Sequence, residues 1–504
     1  MGLGSDVLIG LDAGASGVQA VAFAPGGAEL GHAAADVEVH HVAGGGIEQD
    51  LGDAWQAAAS ALRALAGRVP GLAARTVALA ITGQGGGAWL IDDDGDPVAR
   101  AWLPADRRAA PLVDRWRRLG IGPQLRAITG SRVAASLSSA QLACMAERCP
   151  ALLDHAATAL QGKDWLYFCC THQRATDPAS AVAAFGDFRT GAYDLRVLER
   201  LRLPEIARLL PEIVDGTRDH GALTRAAAAA TGLIAGTPVV LGPVELIAAA
   251  LAAGLAQPDV RLGCSILGGG GVQVRAARAP PTLPRGSAGI DAVLPFAALW
   301  FKVAQGPAQV VAEWLVGLAA QLLADAGLIG IGRAELIAIL EQKAAAAAPA
   351  TLRLHPGAPE ADQGGAPAGF LGISGRTTFY DLLRAIYEGE GLAARACYQA
   401  LGGKPDEIRV TDDGAASPLA RQVLAACVDA PLRVLRREAP AAAGAALVAA
   451  VALGHYRDLA EASRDWVGPH LGAPEPVDPD LRRAYAERLV DTPSAFRDRR
   501  AAGA

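Results

Sequence analysis

Lysine is scarce in this chain, and almost all of its cationic side chains are arginines. The chain has 46 basic and 52 acidic residues and a net charge of −6, and its only lysines are Lys163, Lys302, Lys343 and Lys404. The charges are spread along the whole sequence, so no concentrated basic patch of the kind that binds nucleic acid or an anionic membrane is present. We therefore expect neither nucleic acid nor a membrane as a partner.

Paired cysteine motifs and long apolar runs are also missing. The seven cysteines are odd in number and follow neither a CxxC nor a Cys/His metal-binding spacing. The most apolar late stretch, residues 439–453, is alanine-rich and too short to span a bilayer. The chain opens on a strand-like run at residues 7–11, without a basic segment before it. These absences indicate reduced thiols, and we expect the protein to work in the cytoplasm.

The length and the pattern of strands and helices predict more than one α/β domain. The chain has 504 residues, of which 51% are hydrophobic. An apolar strand, the turn Gly14–Gly17 and a second strand predict a β-hairpin, and residues 261–275 repeat this pattern around Gly268–Gly271. The repeat is short enough to arise by chance, but each copy lies near the start of one predicted domain. We place the domains at residues 1–256 and 257–504.

A series of motifs occurs in an order and spacing that resemble a known family. They are IGLDAGASG (residues 9–17), GIEQD (46–50), ITGQGGG (81–87), AWLPADRR (101–108), KDWLYF (163–168), RATDP (174–178), TGLIAGTPVVLG (231–242), AIYEG (385–389) and GAALVAA (444–450). The series resembles the FGGY carbohydrate kinases and is most similar to erythritol kinases. The resemblance implies an α/β fold with two ribonuclease H-like domains, of the actin/hexokinase type, that flank a catalytic cleft. It also implies ATP and Mg²⁺ as cofactors, a small polyol or sugar as substrate, and a homodimer.

Phosphoryl transfer to an alcohol requires bound phosphates, a divalent metal and a carboxylate near the attacking hydroxyl. The two glycine hairpins can hold phosphates through backbone N–H groups, at positions Gly14, Ala15 and Ser16 in the first and Gly268, Gly269 and Gly270 in the second. Asp12 ends the first strand and can bind Mg²⁺ directly or through a water molecule. A tight turn without a ligand would account equally well for residues 12–17.

The resemblance also implies the residues that face the substrate. The family has an aspartate as catalytic base in a Gly-x-x-Asp pattern, and the matching segment here, residues 242–245, ends in Glu245. Gln84, Asp106 and Arg108 would line the polyol site, where hydroxyl groups need amide, carboxylate and guanidinium partners. A surface ion pair is the alternative for Asp106 and Arg108. The pair Lys163 and Asp164 has two readings as well, orienting the floor of the cleft or forming a structural salt bridge.

Several polar positions depart from the family pattern. Ala15 replaces a threonine, and the second hairpin lacks its usual Thr or Ser. The family has Gly-Gly near the adenosine and α-phosphate, where this chain has Asp412 and Asp413 before Gly414; we assign Asp413 and Gly414 to the nucleotide site. Two hypotheses follow: an active kinase, with Glu245 as base and reduced activity, or a catalytically impaired protein that binds sugar or nucleotide without turnover.

Overall fold

The computed structural model of the chain describes residues 6–257, 260–267, 271–283, 289–306, 310–327, 330–347, 352–355, 369–411 and 417–490. Its strands are β1 (Val7–Ala13), β2 (Gly17–Phe23), β3 (Glu29–Asp36), β4 (His40–Val42), β5 (Gly46–Gln49), β6 (Thr76–Gly83), β7 (Trp89–Ile91), β8 (Ala101–Trp102), β9 (Thr158–Leu160), β10 (Ala175–Thr176), β11 (Gly186–Asp187), β12 (Ala192–Tyr193), β13 (Glu212–Ile213), β14 (Gly221–Ala222), β15 (Pro238–Val244), β16 (Leu262–Ile266), β17 (Val272–Ala277), β18 (Ala292–Phe296), β19 (Leu299–Gln305), β20 (Arg353–His355), β21 (Gly369–Leu371), β22 (Glu407–Thr411) and β23 (Leu432–Val434).

The helices of the described residues are distributed over both halves of the chain. They are α1 (Leu51–Arg68), α2 (Leu72–Arg75), α3 (Ala110–Arg118), α4 (Ile121–Thr129), α5 (Ser138–Arg148), α6 (Pro150–His155), α7 (Gly162–Thr171), α8 (Pro178–Phe185), α9 (Leu195–Leu201), α10 (Arg225–Thr231), α11 (Glu245–Ala252), α12 (Val310–Asp325), α13 (Arg333–Ala346), α14 (Phe379–Ala400), α15 (Pro418–Val428), α16 (Pro440–Ala452), α17 (Leu459–Val467) and α18 (Pro479–Val490), with short 3₁₀ helices at Ala43–Gly45, Pro204–Leu209 and Gly468–His470. Within the described ranges, none of these helices is both long enough and apolar enough to cross a bilayer.

The chain divides into two compact units. Unit 1 contains Met1–Asp259, Arg275–Val303 and Arg437–His470, and unit 2 contains Val260–Val274, Ala304–Arg436 and Leu471–Ala504. The expected α/β class in two domains is confirmed, because each unit combines a sheet with packed helices. The boundary at 256/257 stays a prediction.

Unit 1 is built around a sheet with the strand order β14-β15-β6-β1-β2-β3. β1 and β2 form the expected antiparallel hairpin, while β6 runs parallel to both β1 and β15. Residues 7–11 of β1 are buried, as expected for a central strand covered on both faces. The core beneath this sheet includes α1, whose buried residues such as Ala58 and Leu62 face it at helical spacing.

Helix α16 packs unusually closely against β1 and α11, and small residues allow this. A Cβ atom placed on Gly10 of β1 would lie 2.0 Å from the backbone oxygen of Ala442 in α16. One placed on Gly444 of α16 would lie 1.8 Å from the backbone oxygen of Ala248 in α11. The GAALVAA motif is therefore a packing motif, which fixes the strand that carries Asp12 and the helix that begins at Glu245.

Adding one methyl group at Gly444 should test this packing. We expect Gly444→Ala to lower the free energy of unfolding by about 1–3 kcal/mol, because the helix must move away from Ala248. Urea denaturation, followed by circular dichroism, would measure the free energy of unfolding of each variant. Gly317→Ala is the matched control, since Gly317 lies inside α12 with nothing within 4 Å of its added Cβ. That change should be neutral or stabilise by up to about 1 kcal/mol; equal effects at both sites would contradict the packing argument.

The strands of unit 2 follow the order β17-β16-β22-β23. β16 pairs antiparallel with β17, as the second hairpin predicted, and parallel with β22. After β22, the next helix of the described residues is α15. Its N-cap is Ser417, whose Oγ accepts a hydrogen bond from the backbone N–H of Ala420 at 3.1 Å.

Candidate active site

Three parallel strands of unit 1 end at the same level of the sheet. In the pairing register, Gly83 at the end of β6 lies beside Ala13 of β1 on one side and Val244 of β15 on the other. Neighbouring strands are about 4.8 Å apart. Residues that end these strands or follow them directly therefore gather along one short edge.

Asp12, Gln84 and Glu245 all lie at this edge. Asp12 is the second-last residue of β1, Gln84 follows β6, and Glu245 follows β15 as the first residue of α11. Asp12 and Glu245 are half-buried, and Gln84 is 8% exposed. Glu245 is the first residue of α11, so its side chain starts in the first turn of that helix. The structure thus brings together the predicted metal ligand, base and one predicted substrate residue.

The first glycine hairpin reaches beyond this edge. Ala15 and Ser16 are exposed at its tip, and the turn is closed by a hydrogen bond from the N–H of Gly14 to the backbone oxygen of Gly17 at 2.9 Å. Gln49, from the GIEQD motif, fixes the tip by donating from Nε2 to the backbone oxygen of Ala15 at 2.8 Å. The sequence alone predicts no role for this glutamine, although it lies within the GIEQD motif.

Asp106 and Arg108 form a largely buried ion pair, so the surface alternative is wrong. The Asp106 side chain has no exposed surface and accepts from Nη2 of Arg108 at 2.6 Å. Glu48 accepts from Nη1 at 2.8 Å, and the guanidinium lies over the ring of Trp102 at 3.7 Å. Burial alone would lower the pKa of Arg108, but the bonds to Asp106 and Glu48 raise it above its ordinary value. Glu48 was missed from sequence because nothing in the spacing joins it to Arg108.

Asp106 also organises its own loop. Its Oδ2 accepts from the backbone N–H of Ile47 at 2.9 Å, and its Oδ1 accepts from the backbone N–H of Arg108 at 2.9 Å. The carboxylate is thus heavily engaged within the protein, whereas Arg108 keeps part of its side chain exposed. Of the two, Arg108 is the better placed to meet a ligand hydroxyl.

Lys163 and Asp164 belong to a buried ionic cluster with a third member, Asp177. The ammonium of Lys163 lies 2.6 Å from Oδ1 of Asp164 and 2.7 Å from Oδ2 of Asp177. Burial alone would lower the pKa of Lys163, but the two carboxylates raise it, so the group is charged. Both side chains are almost completely buried. This burial favours a structural salt bridge over a role at the floor of the cleft.

The predicted nucleotide residues of the second half cannot be placed in the same way. Gly268, Gly269 and Gly270 lie outside the described residues, as do Asp412, Asp413 and Gly414. The roles assigned to them stay predictions.

A cavity in unit 2 lies beside the described ends of these segments. Its lining includes Leu267, Gly271, Gly306 and Glu390 of α14. Glu390 Oε1 is buried with no hydrogen-bond partner among the residues described. Burial raises the pKa of this carboxyl to about 8.

Glu390 should make stability depend on pH. Because its folded pKa of about 8 exceeds its ordinary 4.5, the stability associated with its proton is fully present below pH 4.5 and is lost as pH rises through 8. We expect Glu390→Gln to raise Tm by roughly 2–8 °C at pH 9 and to leave it nearly unchanged at pH 5. Differential scanning fluorimetry across this range would measure it. Glu335→Gln, at an exposed site on α13, is the control and should not change how Tm depends on pH. If the Tm difference between Glu390→Gln and wild type were the same at pH 5 and pH 9, the burial argument would be contradicted.

The residues at the ends of β1, β6 and β15 in unit 1 have side chains that can bind a cation and accept a proton. A carboxylate at the end of β1 suits Mg²⁺, which prefers oxygen ligands. A second carboxylate at Glu245 can accept a proton from a hydroxyl group, and the amide of Gln84 can both donate to and accept from hydroxyls.

Comparison with protein families agrees with this chemistry. Residues 7–252 match the N-terminal domain of the FGGY family of carbohydrate kinases, and residues 305–453 match its C-terminal domain. The chain is 42% identical over 511 aligned positions to an erythritol kinase of Brucella abortus, covering 99% of this chain and 96% of that protein.

Solved structures share the fold over nearly the full length. Xylulose kinase from Rhodospirillum rubrum superposes with a TM-score of 0.85 at 24% identity, covering 99% of both chains. Gluconate kinase from Lactobacillus acidophilus gives a TM-score of 0.83 at 19% identity, covering 99% of this chain and 98% of that one. At these identities the two structures establish the fold alone.

Proposed function

Since the chain belongs to the FGGY family of carbohydrate kinases, we propose that it transfers the γ-phosphoryl group of ATP to a hydroxyl of erythritol or a closely similar small polyol. The observation that carries the choice of substrate is the 42% identity to an erythritol kinase, which extends over 99% of this chain. The gathering of Asp12, Gln84 and Glu245 at one sheet edge supports the reaction type.

In the proposed reaction, Glu245 is the general base. The substrate oxygen forms a bond to the γ-phosphorus, the bond from that phosphorus to the β–γ bridging oxygen breaks, and ADP leaves. The hydroxyl proton passes to the carboxylate of Glu245. Its position at the start of α11, fixed by the close contact between Gly444 and Ala248, holds the carboxylate at the edge of the sheet.

The other residues bind and orient. Asp12 would hold Mg²⁺, which supplies charge neutralisation for the phosphates. The hairpin tip at Gly14, Ala15 and Ser16 would hold phosphate oxygens, with the backbone N–H groups of Ala15 and Ser16 as donors because that of Gly14 already binds Gly17, and Gln49 keeps this tip in place. Gly268, Gly269 and Gly270, with Asp413 and Gly414, complete the predicted nucleotide site.

Gln84 and Arg108 are the proposed polyol contacts. Asp106 contributes chiefly by holding Arg108 and the backbone around it, since its oxygens accept bonds from within the protein. We also propose that the protein acts in the cytoplasm as a homodimer. Light scattering coupled to gel filtration would test the dimer, and a monomer mass at micromolar concentration would contradict it.

A coupled assay of ADP release tests the proposed function. With ATP and Mg²⁺, we expect kcat/KM for erythritol to exceed the values for glycerol and for pentitols by about tenfold or more. If the protein prefers another small polyol, the proposed kinase activity stands and the proposed substrate is wrong. No turnover with any of them, combined with a thermal shift on adding ATP or polyol, would overturn the proposal in favour of the non-catalytic binding protein.

A further inference from the structure

The segment Gln84–Gly87, here called the Gln84 loop, is fixed at several points. The N–H of Gln84 donates to the backbone oxygen of Ala13 at 3.0 Å, and the N–H of Gly87 donates to that of Ser136 at 3.0 Å. Ser138 Oγ donates to the backbone oxygen of Gly87 at 2.6 Å. One further bond comes from a distant side chain: the N–H of Gly86 donates to Oε1 of Gln161 at 2.9 Å.

Gly86 has a conformation that few other residues could adopt. Its φ is +86°, and an added Cβ would lie 2.4 Å from the backbone oxygen of Ser136. The backbone here is turned so that the N–H of Gly86 points at Gln161 rather than at a strand neighbour. The acceptor that this N–H uses is therefore a side chain, which evolution or mutagenesis can change without altering the backbone.

Gln161 is itself held rigidly. It is 7% exposed and precedes α7, and its backbone N–H donates to Oδ2 of Asp164 at 3.1 Å. The other oxygen of Asp164 is bound by Lys163, which also binds Asp177. Asp177 in turn caps α8 through the N–H groups of residues 179 and 180. A chain of hydrogen bonds and ion pairs thus runs from the ionic cluster through Gln161 to the Gln84 loop.

We propose that Gln161 is a positioning residue for the polyol site, acting through the N–H of Gly86 to set the place of Gln84. The proposal rests on the proposed function, in which Gln84 binds the polyol. Gln161 is the N-cap residue of α7, and its Oε1 accepts the hydrogen bond from the loop that carries Gln84. Its loss should therefore affect the polyol and leave ATP binding intact. A displacement of Gln84 by about 1 Å is enough to weaken a site of this kind strongly.

The test compares three variants by steady-state kinetics. Gln161→Met keeps the length of the side chain and removes the acceptor, and we expect the KM for erythritol to rise about tenfold while the KM for ATP stays within about twofold. Gln161→Glu keeps an acceptor oxygen at the same reach and should restore the KM for erythritol to within about threefold of wild type. Thr231→Val is the control: it removes a different buried bond, from Oγ1 to the backbone oxygen of Ala227 at 2.8 Å, and should leave both KM values unchanged.

A second readout separates this proposal from the proposed function. Hydrogen exchange in a peptide that covers residues 84–87 should speed up about tenfold or more in Gln161→Met and not in Thr231→Val. Faster exchange with an unchanged KM for erythritol, or KM values for erythritol and ATP that rise together, would overturn the positioning role. If wild type phosphorylates no polyol although hydrogen exchange changes as expected, the proposed function is wrong. The conclusion that Gln161 fixes the Gln84 loop is then retained.

Discussion

Replacing Glu245 with glutamine is expected to lower kcat about 10²–10⁴-fold, the range that a positioned general base contributes. Glutamine keeps the length and the hydrogen-bonding capacity of the side chain at the start of α11, but it cannot take the proton of the attacking hydroxyl. The KM values for ATP and polyol should change little, because binding does not need the proton transfer. Steady-state kinetics with the purified variant would measure the effect.

Glu245→Asp is the matched control for this experiment. It retains a carboxylate, restores the Gly-x-x-Asp pattern that the family resemblance implies, and moves the acid group back by roughly 1 Å, the length of one methylene. We expect its kcat to equal or exceed that of wild type. A glutamine variant that keeps the wild-type kcat would show that Glu245 is not the base.

Replacing Lys163 with methionine is expected to reduce the free energy of unfolding by about 3–5 kcal/mol. The change leaves the carboxylates of Asp164 and Asp177 buried next to each other without their shared cation. Thermal or urea denaturation would measure the loss, and reduced soluble yield is a further expected sign. Lys404→Met is the matched control, because Lys404 pairs with Asp429 at 2.8 Å on the surface and is half-exposed. That exposed pair should be worth about 1 kcal/mol or less.

A double variant would show that buried charge is the cause. Adding Asp177→Asn to Lys163→Met removes one of the two uncompensated carboxylates, while its Oδ1 can still accept from the N–H of Ala179. We expect it to recover a substantial part of the lost stability. Equal losses for Lys163→Met and Lys404→Met would contradict the cluster's structural role.

Much of the fold could be predicted from local sequence signals. The hairpin of β1 and β2 follows from apolar runs on either side of Gly14–Gly17, and α15 follows from the serine cap and helical spacing after β22. The site edge could be predicted in part as well, since Asp12 and Gln84 each end a strand-like run. Parallel strands then bring such ends together.

Other features depend on contacts between parts of the chain that are far apart in sequence. The hydrogen bond from Gly86 to Gln161 joins residues 75 positions apart. Glu48, which pairs with Arg108, lies on β5, while Arg108 lies in the loop after β8. Neither pair has a spacing that could be recognised in the sequence, because the two residues of each pair are brought together by the packing of whole strands and helices. The same holds for the return of residues 437–470 to unit 1, where α16 packs on β1. Helix α18, in a tail without an interpretable motif, was likewise not predicted.

The most direct test follows the phosphoryl group itself. Phosphorus NMR of wild-type protein with ATP, Mg²⁺ and erythritol should show a new phosphomonoester signal that grows in step with ADP, and Glu245→Gln should produce at least a hundredfold less in the same time. A folded wild-type protein that yields no phosphomonoester, or a Glu245→Gln variant that yields as much as wild type, would contradict a polyol kinase whose base is Glu245.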